Sequence, residues 1–235
     1  MKKFYKTVTT SLSNGGYLVL LDGKKILTPM KLDCLVPNEK LANHIMQEWA
    51  SQQETIWPDS MPATQMMMTV IDRVKPNRAT FEEEILGYLD TDMICYYAEE
   101  PKVYAEQQRK KWTAFLDWNK SRFGIEILTT TGLSSLAQPA QTKKTLKTHI
   151  QGMDDLTFGT LYLITTATGS LLMSLAFLED AFNPQEVFEA SLAEDLLKDE
   201  IYLADQYGIS PDQERKRKIL KSELENAHLF LSLLK

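Results

Sequence analysis

The feature that most constrains the fold is a change of apolar periodicity about a quarter of the way along the chain. From residue 62 onward, apolar residues recur at helical spacing and predict helices almost without interruption. Several of these helices have clear end signals. Asn183-Pro184-Gln185-Glu186 combines an N-cap, a proline at the first helical position and a capping box, and Gly124 ends a helix predicted to begin at Lys102. This part of the chain is therefore predicted to be helical.

The residues before this change favour strands. Asp22-Gly23 lies between two β-forming runs, which is a strong hairpin signal. Pro37-Asn38 then begins a helix whose apolar stripe includes Trp49. The sequence thus predicts an α+β protein. A small, mainly β N-terminal domain with one or two helices covers residues 1–75, and an all-helical C-terminal domain covers residues 76–235.

Four finer predictions concern element boundaries. The first strand is predicted over Phe4–Thr10, where β-formers are frequent. Two long stretches are each predicted to form one continuous helix, Leu156–Leu178 and Pro184–Tyr207. Thr80 and Glu83 are predicted to form a capping box at the start of another helix.

The composition excludes several classes of protein. The chain has 26 Lys and Arg against 32 Asp and Glu, a net charge of −6, which disfavours general nucleic-acid binding. The most apolar run, Leu161–Leu178, carries several threonines and serines, so we expect a buried helix and no membrane insertion. Cys34 and Cys95 lie in apolar strings and are expected to be inert core residues in a reducing compartment.

A search for catalytic motifs gives a negative result. The chain has no P-loop, dinucleotide fingerprint, nucleophile elbow or zinc-protease helix. His44, His149 and His228 each lie alone on a predicted helix, without a second metal ligand at suitable spacing. We therefore predict a non-enzyme with no catalytic residue, metal or cofactor. A small hydrolase whose triad meets only in the fold stays open as an alternative.

Two surface features suggest binding but have simpler interpretations. Met66-Met67-Met68 cannot all face one core, so at least one methionine should reach the surface or a domain boundary. The basic run Arg215–Lys218, with Lys221 one turn later, resembles a nucleic-acid patch, and an RNA-associated or ribosome-associated factor is a further alternative. Asp212 and Glu214 accompany the run, which favours a solvated helix face.

Glu200 has the most unusual sequence context. Apolar residues precede it by three and four positions and follow it by three and four, so the pattern places a carboxylate within an apolar stripe. Such a charge is costly to bury unless it is paired or faces a groove. Its interpretation is open between an internal ion pair and an anionic group in a binding surface. The neighbouring Asp199 is interpreted as an ordinary solvated charge.

Motifs along the whole chain resemble those of one family, the assembly chaperones for the α subunit of the ATP synthase catalytic head. The motifs that carry this resemblance are Lys3-Phe4-Tyr5-Lys6, Leu21-Asp22-Gly23-Lys24, Glu48-Trp49-Ala50-Ser51-Gln52, Ile71-Asp72, Thr91-Asp92, Gln138-Pro139 and Thr168-Gly169-Ser170. An acidic helix segment of the family falls on Asp199, Glu200 and Tyr202 and ends at Tyr207-Gly208. Leu203 and Tyr207 depart from the residues usual in that segment.

The resemblance implies a function and a set of site residues. It implies a chaperone that binds the free ATP synthase α subunit and shields the apolar surface destined for the neighbouring subunit. The absence of a P-loop fits a chaperone that works without ATP hydrolysis. The resemblance also implies client-binding roles for Glu200, Asp199 and Tyr207. Glu48, Trp49, Gln52 and Asp72 are implied to be structural. The expected protein is a monomer when free, in the bacterial cytoplasm or, as a processed organellar form, in the mitochondrial matrix.

Overall fold

The computed structural model describes residues 1–202 and 208–235. The chain divides into two compact units. The first consists of Met1–Arg78 together with Leu229–Lys235, and the second is Ala79–His228. The domain boundary near residue 75 stays a prediction, and no sequence pattern indicated that the last seven residues group with the first unit.

The first unit contains an antiparallel sheet. Its strands are β1 (Val8–Ser13), β2 (Gly16–Leu21), β3 (Lys24–Lys25) and β4 (Leu35–Val36). Strand β2 is central, because it pairs with β1 along its whole length and also with β3 and β4. The turn residues Asp22 and Gly23 have φ values of 48° and 77°, the left-handed backbone that a two-residue hairpin requires. The predicted hairpin is confirmed.

The first strand begins later than the predicted Phe4–Thr10. The backbone amides of Lys6 and Thr7 donate hydrogen bonds of 3.0 and 2.8 Å to the Asp22 carboxylate instead of to a strand. Regular pairing therefore starts only at Val8. The pattern of β-forming residues does not show that the Asp22 side chain takes the place of a neighbouring strand at these positions.

A single α-helix covers one side of this sheet. Helix α1 (Glu39–Ala50) packs on β1 and β2 and buries the apolar stripe that ends at Trp49. Asn38 begins the helix, because its side-chain oxygen accepts a 2.8 Å hydrogen bond from the Leu41 amide. The side-chain NH₂ group of Asn38 also donates a hydrogen bond to the backbone carbonyl of Leu233 at 3.0 Å.

The other regular elements of the described residues are helical. Their α-helices are α2 (Pro62–Thr69), α3 (Arg78–Gly87), α4 (Lys102–Phe123), α5 (Ala140–Gln151), α6 (Asp155–Thr168), α7 (Leu171–Leu178), α8 (Pro184–Ser191), α9 (Ala193–Ile201) and α10 (Pro211–Leu234). Gly124 ends α4 with a φ of 61°, and Asn183 and Glu186 form the capping box of α8. These end signals are confirmed. Together the two units give the α+β class that the sequence predicts.

Three helix predictions are wrong. Leu156–Leu178 is two helices, because Gly169 takes a left-handed φ of 72° and Ser170 then caps α7. Pro184–Tyr207 is interrupted at Leu192, and the end of that prediction lies outside the described residues. Thr80 lies inside α3, because a π-helical and a 3₁₀ segment join α2 to α3 without a new start.

The core of the second unit centres on α7, all of whose residues are buried. The Asp92 carboxylate, also buried, accepts hydrogen bonds from the amides of Leu172 at 3.0 Å and Ile94 at 3.3 Å. Burial raises the pKa of Asp92 to about 6. No helix among the described residues combines the length and apolar character needed to cross a membrane.

Candidate functional site

Helix α9 carries the residues that the sequence singled out, and α4 positions it. Ala193 and Leu197 are buried on one face of α9. On the other helix, the buried Gln108 side chain donates a 2.6 Å hydrogen bond to Glu194. The side-chain oxygen of Gln108, Oε1, accepts a hydrogen bond from the backbone amide of Ala98 at 2.7 Å. Both polar ends of Gln108 are therefore used, which fixes the start of α9 against α4.

Asp199 is a paired charge, contrary to the expectation that it is solvated. Its carboxylate accepts a hydrogen bond from the Arg217 guanidinium of α10, with side-chain exposures of only 25% for Asp199 and 13% for Arg217. A second nitrogen of this guanidinium, Nη2, is buried without a hydrogen-bond partner among the described residues. The two residues lie 18 positions apart, so no local pattern could have predicted the pair.

Glu200 is exposed to solvent, and two of the four apolar residues around it in the sequence, Leu203 and Ala204, lie outside the described residues, so the choice between an ion pair and a binding-surface carboxylate stays a prediction. Leu197 is the last buried residue described on α9, and the helix ends one turn later at Ile201. The two residues that follow Glu200 are apolar in character and exposed, Ile201 at 47% and Tyr202 at 72%. We call Glu200, Ile201 and Tyr202 the α9 surface.

The α9 surface combines features typical of a protein-binding site. Exposed aliphatic and aromatic side chains gain free energy when a partner covers them, and an adjacent carboxylate can accept charge-assisted hydrogen bonds. The family resemblance pointed to Glu200 and Tyr202 but not to Ile201, which no sequence pattern marks as exposed. Tyr207, the remaining predicted client-binding residue, lies outside the described residues.

The basic run on α10 is mostly paired with carboxylates. Lys216 contacts Asp212 at 2.9 Å and Lys218 contacts Glu214 at 2.6 Å, each one helical turn away. These pairs agree with the solvated helix face favoured by the sequence. Arg217 is the exception, because its pairing with Asp199 takes it out of solvent.

In the first unit, Glu48 acts as a cap from a neighbouring helix. Its two carboxylate oxygens accept hydrogen bonds of 2.8 Å each from the amides of Ala63 and Thr64, in the first turn of α2. The Thr64 hydroxyl donates a third bond at 2.6 Å. Since Met61, the N-cap of α2, supplies no side-chain bond, the buried Glu48 carboxylate serves the start of that helix.

The other three residues of the family motif also make internal contacts. Trp49 is buried, and its carbonyl accepts a 2.7 Å hydrogen bond from the Tyr5 hydroxyl. The Gln52 side chain accepts from the Trp57 amide at 2.8 Å. Asp72 accepts from the Met30 amide at 3.0 Å. The proposal that these residues are structural is consistent with this geometry.

The methionine cluster and the histidines show no ligand-binding arrangement. Met67 is buried, whereas Met66 and Met68 are half-buried. Each histidine lies near a carboxylate: the imidazole nitrogen of His149 is 3.6 Å from Glu179, that of His44 is 3.7 Å from Glu48, and that of His228 is 3.7 Å from Asp180. Within residues 1–202 and 208–235, no group of three or more potential metal ligands comes together.

Comparison with known proteins defines the class. The chain matches the ATP12 chaperone protein family over residues 2–120, about half of its length. The chain therefore belongs to the ATP12 chaperone family.

Individual relatives agree with this assignment. Protein atp12, mitochondrial, from Schizosaccharomyces pombe is 26% identical over 153 residues, which cover 61% of this chain and 53% of the yeast protein. The match thus spans about half the length of that relative. The crystal structure of Atp12 from Paracoccus denitrificans has a TM-score of 0.90 at 25% identity, covering 100% of this chain and 98% of the other. A protein from Agrobacterium tumefaciens described as a putative chaperone has a TM-score of 0.89 at 28% identity, with 100% and 86% covered.

Proposed function

We propose that this protein is an ATP-independent chaperone for assembly of the catalytic sector of ATP synthase. It binds the free α subunit and shields the apolar surface that the assembled enzyme buries between subunits. The α9 surface is the observation that carries this proposal within a chain of the ATP12 family. Its client contacts come from Glu200, Ile201 and Tyr202, with Asp199 positioning the end of α9 and Tyr207 as a further contact.

The physical chemistry of the α9 surface suits such a client. A subunit that will be buried in a hetero-oligomer exposes apolar area while it is alone, and such area promotes aggregation. Ile201 and Tyr202 offer apolar contact of moderate size, which permits later release to the proper partner. Glu200 adds selectivity, because a carboxylate rewards client amide, Lys or Arg donors and disfavours acidic surfaces.

The proposal excludes enzymatic turnover, nucleic-acid binding and membrane insertion as functions. The sequence lacks the phosphate-binding loop that an ATP-driven chaperone uses, and so binding and release should depend on the client alone. The free chaperone is proposed to be a monomer. It acts where the subunit is made or imported, the bacterial cytoplasm or the mitochondrial matrix.

The test is suppression of α-subunit aggregation by the purified chain, followed by light scattering with and without ATP. The wild type should suppress scattering equally in both conditions. Glu200→Gln keeps the size of the side chain and removes its charge. Because Glu200 is exposed, the variant's melting temperature should stay close to that of the wild type. Its protection of the client should fall by roughly tenfold in effective concentration, as loss of a charge-assisted contact predicts.

Glu83→Gln is the matched control, because Glu83 is also an exposed helical glutamate of the second unit. It should protect the α subunit as the wild type does. Equal protection by wild type and Glu200→Gln would remove Glu200 from the binding surface. Failure of the wild type to protect the α subunit at any ratio would refute the proposed client.

A further inference from the structure

The sheet of the first unit has an open edge. Strand β1 pairs with β2 on one side, and no strand among residues 1–202 and 208–235 pairs with it on the other. Proteins commonly protect such edges with proline, a charged residue or a bulge. β1 has none of these: its sequence is Val-Thr-Thr-Ser-Leu-Ser, and its six pairs with β2 run without interruption.

The pairing register shows which backbone groups are open. The Asp22 amide donates to the Thr7 carbonyl at 3.0 Å, so the Thr7 carbonyl faces β2, and the Ile26 amide donates to the Val19 carbonyl, so Val19, the partner of Thr10, faces β3. Because hydrogen-bonded and non-hydrogen-bonded pairs alternate along an antiparallel ladder, the backbone groups of Val8, Thr10 and Leu12 point away from β2. Three consecutive outward positions offer a template for one additional strand.

The side chains of the open edge indicate the pattern that a new strand would need. Val8, Thr10 and Leu12 stand on the sheet face that α1 covers, opposite Leu21, Val19 and Tyr17 respectively. Leu12 is nevertheless 75% exposed, so a neighbouring apolar side chain would extend the core over it. On the other face, Thr9 and Ser11 are exposed and favour polar neighbours.

Charge distinguishes between the possible occupants of the edge. Met1–Arg78 with Leu229–Lys235 contains 11 Lys and Arg against 7 Asp and Glu, a net charge of +4, whereas Ala79–His228 contains 15 against 25, a net charge of −10. A second copy of this chain would bring one positive unit against another. An extended client segment with acidic residues complements the charge instead.

We propose that β1 is a second client-binding site, at which an extended α-subunit segment pairs as an added strand. Resting on the proposed function, this inference describes the segment as alternating apolar and polar residues, with acidic residues near Lys6 at the start of the edge. Main-chain hydrogen bonds would hold the client backbone, and Leu12 would give an apolar contact. The chaperone would then grip the client at two surfaces, β1 and the α9 surface.

The test measures the dissociation constant of the isolated ATP synthase α subunit for full-length variants. Thr10→Pro removes an outward N–H, and Leu12→Glu replaces the exposed apolar side chain by a charge that repels an acidic segment. Each should raise the dissociation constant about tenfold or more. Thr9→Glu places the same charge in the same strand on the opposite, solvent face and should change it less than twofold.

Every outcome bears on the inference. If Thr10→Pro unfolds the sheet, seen as a loss of far-UV circular dichroism signal, the dissociation constants of Leu12→Glu and Thr9→Glu still test the β1 site. Wild-type affinity in Leu12→Glu would overturn the β1 site while the proposed function stands. No binding by the wild type would refute the proposed function and this inference with it. If the wild type sediments as a dimer, and Leu12→Glu loses the dimer but keeps its affinity for the client, then β1 pairs with a second copy of the chain, and the proposal is overturned.

Discussion

Glu48 offers a quantitative test of how the first unit is held together. In Glu48→Gln, one carboxylate oxygen becomes an NH₂ group that faces amide donors of α2 instead of accepting from them. The lost bond leaves a buried donor unsatisfied, at about 1–3 kcal/mol, and the lost charge at a helix N-terminus costs about 0.3–1 kcal/mol more. With two amides and the Thr64 hydroxyl sharing this carboxylate, we expect a loss of about 2–4 kcal/mol in the free energy of unfolding.

Urea denaturation followed by far-UV circular dichroism measures this loss. Glu54→Gln is the matched control, because Glu54 is exposed and six residues further along. The control should lie within about 0.5 kcal/mol of the wild type. A loss below about 1 kcal/mol in Glu48→Gln, or one equal to the control, would refute the view that this carboxylate caps α2.

Three further predictions use the same measurement. Trp49→Ala should lose about 3–5 kcal/mol, since a buried tryptophan is removed from the core; unchanged stability with lost client binding would place Trp49 on a binding surface. Asp199→Asn should cost about 1–3 kcal/mol because it leaves the largely buried Arg217 unpaired, and an unchanged midpoint would show that the pair contributes nothing. Asp92 has a pKa raised from 3.8 to about 6, so its contribution to stability is present below pH 3.8 and is lost as pH rises through 6. The free energy of unfolding of the wild type, relative to that of Asp92→Asn, should therefore rise by roughly 2 kcal/mol when the pH is lowered from 7 to 4. A difference in urea midpoints that does not change with pH would contradict this.

Local signals in the sequence were sufficient where one short segment determines the structure. The hairpin at Asp22-Gly23 and the end of α4 at Gly124 follow from backbone conformations that few residues adopt easily. The capping box at Asn183 is also local, because its partner is three residues away. Such elements could be predicted because no distant residue decides them.

The missed elements depend on distant partners or on competing local preferences. The apolar periodicity continues through Gly169 and Ser170, so it conceals the break between α6 and α7. The start of β1 is set by the Asp22 carboxylate, which replaces a strand partner. Periodicity alone also does not show where a helix ends: α9 ends at Ile201, and Glu200 in its last turn is exposed.

The candidate site was predictable only in part. The sequence pattern and the family resemblance both led to Glu200, and the structure adds Ile201 and shows that Ile201 and Tyr202 are exposed beside it. The pairing of Asp199 with Arg217 required the packing of α9 and α10, which no spacing rule describes. The open edge of β1 likewise becomes visible only when the order of strands is known.

The most direct test of the central claim compares free and assembled α subunit as ligands. The purified chain is titrated against isolated ATP synthase α subunit and against the assembled catalytic head, with binding followed by fluorescence anisotropy of a labelled chaperone. The account predicts saturable binding to the isolated subunit, no measurable binding to the assembled head, and displacement of the chaperone when β subunit is added. Equal affinity for the isolated and assembled α subunit would contradict it, because a shielded inter-subunit surface is inaccessible in the assembled head.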